Sequence, residues 1–464
     1  MWLSPSYQIK TKTRMNRLIG RKVLHTAIWF TCLGPLFLLA SPPYSEILLK
    51  NQPEKVVLPN GLPLIYHQDD SSPASVVQIL IRGGRRREPE GKQGLAFLTT
   101  RLCLEFPNQR ILEQMMNQAT RISMFCRHDF TLVKISCLSE NLEEAIKLST
   151  QILLDPLFSG LRIGRVKDLM NHQRKQWDDE LINVAHTAAL DTLFAGTSYA
   201  GPDYGTEESL KNIKKKDIEE FYDAYVRTGN MVVAVSTNLE KDSAIDILRP
   251  YFEEFPEGKP TDPDPISFSP LQEKSLFLEK DTQQSMVYLA FPLSKFSTRG
   301  YILANMLENL IGKGVNSKLW PLRAEEKLAY VVNSLSFVAM EGGMLEVYLE
   351  TDHTKIDTAM EELKKIIQNL HEEGISSEEF EITKIHSKGS FIRESETKDD
   401  KTYNLAAFEA YGFGYNFLNM VLSEMDATSL EEFNAFLKDV LRLDKAVEII
   451  VGPKALEKQI SQMP

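Results

Sequence analysis

Residue types that could do chemistry are present in this sequence, but not at the spacings that hydrolysis needs. No HxxEH or HxxxH pair could hold zinc, no CxxC pair occurs, and no GxSxG turn presents a nucleophilic serine. The segment "IGKGVNSKLW" (311–320) lacks the GxxxxGK[ST] spacing of a phosphate loop. The following scattered histidines are interpreted as surface or packing residues: His128, His172, His186, His353, His371 and His386. The sequence therefore predicts no catalytic residue and no metal ligand that acts in this chain alone.

One short helix that could hold a site is predicted in "EGKQGLAFLTTRLCLEF" (90–106). Apolar side chains recur there at spacings of three and four residues, which predicts one buried helical face: Leu95, Leu98, Leu102 and Phe106. Phe97, Thr100 and Arg101 lie on the same predicted helix. Phenylalanine has no donor atom, threonine does not take up a proton near neutral pH, and arginine is a permanent cation. This helix is therefore not expected to bind zinc.

The N-terminus has the pattern of a secretory signal. Residues 1–22 contain six Lys or Arg and no acid, an apolar run follows from Thr26 to Ala40, and "SPPYSE" comes next. We predict a signal peptide over 1–40 and export to the periplasm or the extracellular space. An uncleaved membrane anchor is the alternative, although Gly34 and Pro35 break the run, and Met15 is a possible start.

Charge and cysteine usage limit the partners. Removing residues 1–40 takes away six positive charges and changes the net charge from −11 to about −17, which disfavours nucleic acid and anionic membrane as partners. The mature chain is predicted to have no membrane span. A hairpin turning at His128-Asp129 would place Cys126 opposite Thr131 rather than Cys137, so free buried thiols are expected instead of a disulfide.

The chain contains two similar halves with a period of roughly 210 residues. Each half opens with an alternating strand, at 75–84 and 285–294, and closes with a β-branched strand followed by a helix, at 231–248 and 445–460. The predicted fold class is α+β, with two homologous two-layer α/β sandwich domains. The predicted organisation is signal peptide 1–40, domain 50–255, Pro-rich linker 256–270 and domain 271–464.

Helical periodicity and turn signals predict the remaining elements. A hairpin with an Asn-Gly turn is expected at 55–68, and a strand with one wet face at 344–351. Helices are expected near 91–105, 141–154, 161–177, 180–194, 217–225, 300–311, 317–327, 354–372, 376–393, 400–412 and 428–442.

Three segments resemble one known family. "VVLPNGLPLIYHQDDSSPASVVQILIRGGRRREPEGKQGLAFLTT" resembles the opening of the insulinase/pitrilysin-like metallopeptidases, the inverzincins. "GTSYAGPDYGTEESLKNIKKKDIEEFYDAYV" (196–226) and "NSKLWPLRAEEKLAYVV" (316–332) resemble later signatures of the family, so the similarity extends over about 54–453. The resemblance implies a metallopeptidase-like fold of the LuxS and processing-peptidase type.

The family's catalytic helix carries HxxEH, in which two histidines hold zinc and the glutamate activates water. The resemblance puts Phe97 and Arg101 at the histidines and Thr100 at the base. The third ligand, a glutamate, should fall near Met170–His172, where the nearest carboxylate is Asp168. The resemblance therefore implies a member without zinc, of the non-catalytic subunit type. Arg101 is expected to form charge-assisted hydrogen bonds with Glu105, one turn along the helix.

In bacterial members of the family that work as two-chain enzymes, the two chains contribute different parts of the active site. One chain brings zinc, and the other brings an Arg and a Tyr from its second half, which match Arg323 and Tyr330 here. A phenol and a guanidinium can stabilise the negative charge that builds on the carbonyl oxygen. Pro321 departs from the family pattern. The alternative interpretation pairs Arg323 with Glu325 or Glu326 and places Tyr330 in a core.

The favoured hypothesis is an exported, zinc-free partner subunit of a two-chain peptidase that binds a peptide or an unfolded polypeptide. Zinc is then expected only in the partner, a homologous subunit with HxxEH. The glycine-containing segment 311–320 loosely resembles a peptide-handling loop of some non-catalytic members, although a plain helix connection is favoured. Two alternatives stay open: a structural or assembly protein on the same scaffold, and a degenerate enzyme with an unrecognised metal site.

Overall fold

A computed structural model describes residues 48–106, 108–261, 266 and 275–456. The predicted signal peptide and most of the predicted linker lie outside these residues, so the predicted domain limits stay predictions. Within the described residues, no helix is both long enough and apolar enough to cross a membrane.

The first half contributes six strands to one mixed sheet within the described chain. They are β1 (Glu54–Val57), β2 (Pro63–Gln68), β3 (Ala74–Ile81), β4 (Arg121–Cys126), β5 (Thr131–Leu138) and β6 (Met231–Thr237). Their order across the sheet is β1-β2-β6-β3-β5-β4. The β1–β2 hairpin confirms the predicted Asn-Gly turn, with Gly61 at φ +80°.

The helices of the first half follow the same chain order. They are α1 (Leu95–Cys103), α2 (Gln109–Asn117), α3 (Leu142–Leu154), α4 (Gly160–Trp177), α5 (Leu181–Leu193), α6 (Glu207–Asn212), α7 (Lys215–Tyr225) and α8 (Lys241–Phe252). Helix α1 contacts α4, α7 and β4, so the helix that holds Phe97, Thr100 and Arg101 lies against the edge strand of the sheet.

The second half forms a five-stranded sheet in the described part of the chain. Its strands are β7 (Ser275–Glu279), β8 (Ser285–Leu293), β9 (Val331–Ala339), β10 (Gly342–Thr351) and β11 (Val447–Gly452), in the order β7-β11-β8-β10-β9. The helices are α9 (Thr298–Ile311), α10 (Trp320–Ala324), α11 (Ile356–Glu372), α12 (Ser377–Glu394), α13 (Lys398–Ala410), α14 (Phe417–Ala427) and α15 (Leu430–Val440).

Strand pairing confirms the internal duplication. In both sheets the closing strand of the half lies between a parallel neighbour and an antiparallel one: β6 between β2 and β3, and β11 between β7 and β8. Two further antiparallel strands follow in each sheet, β5 and β4 in the first and β10 and β9 in the second, and the first sheet has β1 in addition, beyond β2. The predicted α+β class with two homologous sandwich domains is therefore confirmed.

Each half lends one helix to the sheet of the other half. Helix α5 packs on β8 and β11, and helix α13 packs on β3 and β6. The α5 contact is mainly apolar, with Ala185, Ala189 and Leu190 in one cluster with Met286 and Tyr288. This exchange buries the second face of both sheets, so the prediction of a wet face for 344–351 was wrong.

The α13 contact is polar. The Lys398 ammonium donates to the carbonyl oxygens of Ser72 and Ala74 at 3.0 and 2.7 Å. The Thr402 hydroxyl bonds the Ser236 hydroxyl at 2.7 Å. Because Lys398, Thr402 and Ser236 are buried and hydrogen-bonded, the interface fixes the orientation of the two halves by hydrogen bonds as well as by apolar burial.

Local predictions failed at a few elements. The helix expected at 317–327 is limited to α10, because Pro321 removes a backbone donor and Lys327 takes φ +52°. Helices α2, α6 and α14 were not predicted. The free, buried state of Cys103, Cys126 and Cys137 is confirmed, as is the pairing of Cys126 with Thr131.

Candidate functional site

The Glu88 carboxylate caps the N-terminus of α1, and two glycines, Gly94 and Gly205, allow the backbone to pack closely there. The Gly94 and Ala96 backbone N–H groups donate to the Glu88 carboxylate at 3.0 and 2.8 Å. Gly94 lies at φ +93°, where a side chain would be strained. A Cβ on Gly205 would lie 2.2 Å from the Gln93 carbonyl oxygen, so the loop before α6 can approach α1 only because that residue is glycine.

Phe97 is a packing residue at the position that the resemblance gives to the first zinc histidine. Its side chain is 8% exposed and joins the apolar cluster of α1, α4 and α7. Its ring meets Tyr204 edge to face, with 5.1 Å between the ring centroids. The Tyr204 loop therefore lies directly against the place where a zinc ligand would stand.

Thr100 does not face the same space as Phe97 and Arg101. It is buried and lines a cavity of about 20 Å³ together with Thr99 and Cys103. A cavity of that size holds at most one water molecule. The residue at the position of the family's base is thus directed into the core.

Arg101 is an ion-paired structural residue, as predicted. Its guanidinium contacts the Glu105 carboxylate at 2.8 Å, and Arg165 pairs with the other oxygen of the same carboxylate. The Arg162 guanidinium donates to the backbone carbonyl oxygens of Glu105 and Phe106. This network replaces metal coordination at the end of α1 with charge-assisted hydrogen bonds.

The segment predicted to replace the third ligand also offers no carboxylate to a metal. Met170 is fully buried in the cluster around α1, Asn171 accepts a hydrogen bond from Arg174, and His172 and Asp168 are exposed. No group of three or more potential metal-binding side chains occurs in the described residues. The residues present do not fit a zinc ion.

A cleft persists where the metal site would be. Its volume is about 420 Å³. Two side chains of α1, the edge strand β4, the end of α4 and the loop before α6 line it: Phe97, Arg101, Leu104, Phe106, Ile122, Ser123, Met124, Phe125, Cys126, Arg127, Gln173, Trp177, Asp203 and Tyr204. The cleft therefore lies open beside the helix to which the resemblance assigns the zinc ligands.

Arg323 and Tyr330 lie in the second half and are not among the residues that line this cleft. Arg323 is exposed on α10, with its guanidinium 5.3 Å from the centre of the Trp320 ring. Tyr330 is 55% exposed, so its predicted alternative place in a core was wrong. Its backbone N–H donates to the Glu350 carbonyl oxygen at 2.8 Å, which fixes the tyrosine just before β9.

A buried polar network at the junction of the two halves was not predicted. Arg85 is 1% exposed, pairs with Asp203 and contacts His128 Nε2 at 2.9 Å. Asp129 accepts from the Tyr199 hydroxyl at 2.7 Å and from the backbone N–H of residue 340 at 2.9 Å. Burial lowers the pKa of His128 well below its ordinary value, and the Arg85 charge acts in the same direction.

Two sequence segments carried a signal for this network. "RGGRRREPEG" and "GTSYAGPDYG" place charged and hydroxyl residues among glycines, as buried polar loops require. The partners lie far apart in sequence, so the spacing alone could not pair them.

The family models confirm the resemblance. Residues 64–207 match the family described as "Insulinase (Peptidase family M16)", and residues 212–386 match the "Peptidase M16 inactive domain". A Helicobacter pylori protein named "Non-peptidase homolog YmxG" is 24% identical over 406 residues, which cover 86% of this chain and 93% of that protein. A Bacillus subtilis "Uncharacterized zinc protease YmxG" is 22% identical, with 84% and 96% covered.

A solved structure shows the same fold. The crystal structure of a peptidase M16 inactive domain from Pseudomonas fluorescens superposes with a TM-score of 0.79 at 17% identity, and covers 87% of this chain and 98% of that chain. Together with the lost ligands, these matches define the class. The chain belongs to the insulinase family, peptidase family M16, and to its inactive, non-peptidase homologues.

Proposed function

We propose that this chain is the zinc-free partner subunit of a heteromeric peptidase, exported by its N-terminal segment 1–40. A homologous subunit with HxxEH supplies the zinc. This chain binds the peptide or unfolded polypeptide and supplies Arg323 and Tyr330 to the reaction in its partner.

The proposal depends mainly on one observation: Arg323 and Tyr330 are exposed and do not line the cleft of this chain. Tyr330 exposes 55% of its side chain, and Arg323 is exposed beside Trp320. An aromatic ring and a guanidinium are the side chains most enriched where a partner surface docks. A phenol O–H or guanidinium in a closed site can stabilise a developing oxyanion. The pair is therefore suited to a site that another chain completes.

The cleft beside β4 supports the peptide-binding part of the proposal. Strand β4 is the last in its sheet, and along its other side no strand lies within the described residues. An extended peptide can pair with such an edge through its backbone, and adjacent pockets then receive its side chains. Six consecutive residues, 122–127, line the cleft at this edge.

The test is reconstitution with an HxxEH homologue encoded in the same genome. We expect the two chains to elute together as one heteromeric complex in size-exclusion chromatography with light scattering. Cleavage of a quenched fluorescent peptide library should then require both chains. Two outcomes would contradict the proposal: a complex whose activity equals that of the homologue alone, and no complex at all. The first result would favour a scaffold or assembly protein.

A further inference from the structure

One ion pair lies inside the mainly apolar contact between α5 and the second sheet. The His186 Nδ1 atom of α5 lies 2.6 Å from the Glu346 carboxylate of β10. Ala185, one residue earlier on α5, belongs to the apolar cluster that contains Met344 and Tyr348 of β10. The pair therefore joins the first half to the second half within an otherwise apolar surface.

Glu346 is a buried carboxylate that depends on this partner. Its side chain is 4% exposed, and that of His186 is 22% exposed. Within the part of the chain that the structure describes, His186 is its only ion-pair partner. A buried charge is costly unless it is paired, and removing one partner leaves the other charge uncompensated. The stability of this contact therefore depends on whether His186 carries a proton.

The surroundings of His186 favour its protonated form. Burial lowers the pKa of His186, but the Glu346 charge and the hydrogen bond to Glu346 outweigh burial, so the pKa is raised above its ordinary value. The Asp203 charge also raises this pKa, whereas the Arg85 charge lowers it. His186 therefore keeps its proton at a pH where a free histidine has lost it.

The other titratable side chains around the pair keep one charge state across the neutral range. Burial lowers the pKa of His128 well below its ordinary value, and the Arg85 charge acts in the same direction. Burial raises the pKa of Tyr348 to about 12 and that of Tyr288 well above its ordinary value. Burial also acts to raise the pKa of Asp203, but the charges around it, led by Arg85, lower this pKa overall.

We propose that His186 and Glu346 form a pH-dependent latch between the two halves. Protonated His186 holds α5 on the second sheet, and loss of its proton in alkaline medium weakens that contact. Because the cleft belongs to the first half and Arg323 and Tyr330 belong to the second, the latch links pH to the arrangement of these two sites. The latch acts within this chain and does not depend on the proposed partner.

The direction of the effect is set by the raised pKa of His186 in the folded state. Below pH 6.5 His186 is protonated both when α5 is docked and when it opens, and the pair contributes fully to the contact. Above pH 6.5 the opened form loses its proton first, so the contact weakens until the pKa of the docked form is passed. In this window the opening equilibrium changes by up to about tenfold per pH unit.

The experiment is native-state hydrogen exchange of the whole chain across this window, followed by mass spectrometry of peptides that cover α5 (Leu181–Leu193). The rates are corrected for the intrinsic pH dependence of exchange. We expect the opening of α5 to rise with pH by up to about tenfold per unit in wild type. The rise should be absent in His186→Asn and Glu346→Gln, because neither variant has a titrating ion pair. His172→Asn, which removes an exposed histidine of α4, is the matched control and should keep the wild-type profile.

The titration of His186 is the second measurement, by NMR of a chain with labelled histidine. The signal is assigned by its loss in His186→Asn. Its midpoint should lie above pH 6.5 in wild type and move to lower pH in Glu346→Gln, because the partner charge is gone. A wild-type midpoint at or below pH 6.5 would overturn the proposal. A flat exchange profile for α5 in wild type would also overturn it, as would a wild-type profile in His186→Asn.

Discussion

Glu88→Gln tests how the helix of the lost metal site is anchored. The Glu88 carboxylate accepts the backbone N–H groups of Gly94 and Ala96, which favours its charged form, as does the nearby Arg85. Burial acts more strongly in the opposite direction and raises the pKa of Glu88 from 4.5 to about 7. Glutamine keeps an acceptor oxygen at this place and removes the titration.

The sign follows from the raised pKa in the folded state. Below pH 4.5 the side chain is protonated in both states, and its contribution to stability is fully present. Between pH 4.5 and about 7 the unfolded chain loses the proton first, so the free energy of unfolding falls with rising pH. Since each tenfold change in proton affinity is worth about 1.4 kcal/mol, the loss amounts to about 3 kcal/mol.

The assay is urea unfolding from pH 4 to pH 8 for wild type, Glu88→Gln and the control Glu90→Gln, an exposed residue two positions away. All other groups titrate equally in wild type and Glu88→Gln, so the difference between these two proteins isolates this carboxyl. We expect the free energy of unfolding of Glu88→Gln to rise relative to that of wild type as the pH rises to about 7, and the difference to stay constant above that pH. Parallel curves for wild type and Glu88→Gln would refute the assignment of a carboxyl that holds its proton more tightly in the folded state.

Three shorter predictions concern the lost zinc site. The purified chain should contain far less than one zinc per chain after dialysis, measured by emission spectroscopy, and should cleave no peptide; a stoichiometric, dialysis-resistant zinc would contradict this. The triple variant Phe97→His, Thr100→Glu, Arg101→His should stay inactive because the third ligand is also missing, and hydrolysis by it would show otherwise. Glu105→Ala should lower the free energy of unfolding by roughly 1 kcal/mol, since the pair with Arg101 is partly exposed; the exposed Glu113→Ala is the control, and an equal effect in both would argue against the network.

Much of the fold was readable from local pattern. The alternating segments predicted at 75–84 and 285–294 are β3 and β8 in the structure. The two predicted closing strands are β6 and β11, which pair in parallel with β2 and β7 respectively. These elements are specified by side-chain period, which is local information. The exchange of α5 and α13 between the halves could not be predicted, because the apolar periodicity of a helix does not show which of the two sheets it packs on.

The site was predicted only where a known pattern existed. Phe97 and Arg101 were placed by the resemblance, and the Glu105 pair followed from helical spacing. Tyr204 lies in a segment that the resemblance had picked out, but nothing in the sequence pairs Tyr204 or Trp177 with Phe97, since the chain brings them together only through the packing of α4 and a glycine loop. Buried arginines such as Arg85 were missed because arginine is ordinarily exposed, and burial depends on partners more than 100 residues away.

The surroundings of Arg323 and Tyr330 in the second half were also not predictable from local sequence pattern. Helical periodicity cannot reveal the left-handed turn at Lys327, which lies between Arg323 and Tyr330. Tyr330 is 55% exposed directly before β9. The catalytic role of Arg323 and Tyr330 stays a prediction until the partner is present.

The most direct test of the central claim is the turnover number of the reconstituted heteromer with Tyr330→Phe in this chain. The change deletes one hydroxyl from a side chain that is 55% exposed, so folding and complex formation should be unaltered by size-exclusion chromatography. Tyr251→Phe, which removes a surface hydroxyl in the first half, is the matched control. If the phenol meets the oxyanion, Tyr330→Phe should lower kcat by roughly 100- to 1,000-fold with little change in KM. A reconstituted Tyr330→Phe enzyme that turns over at the wild-type rate would contradict the account.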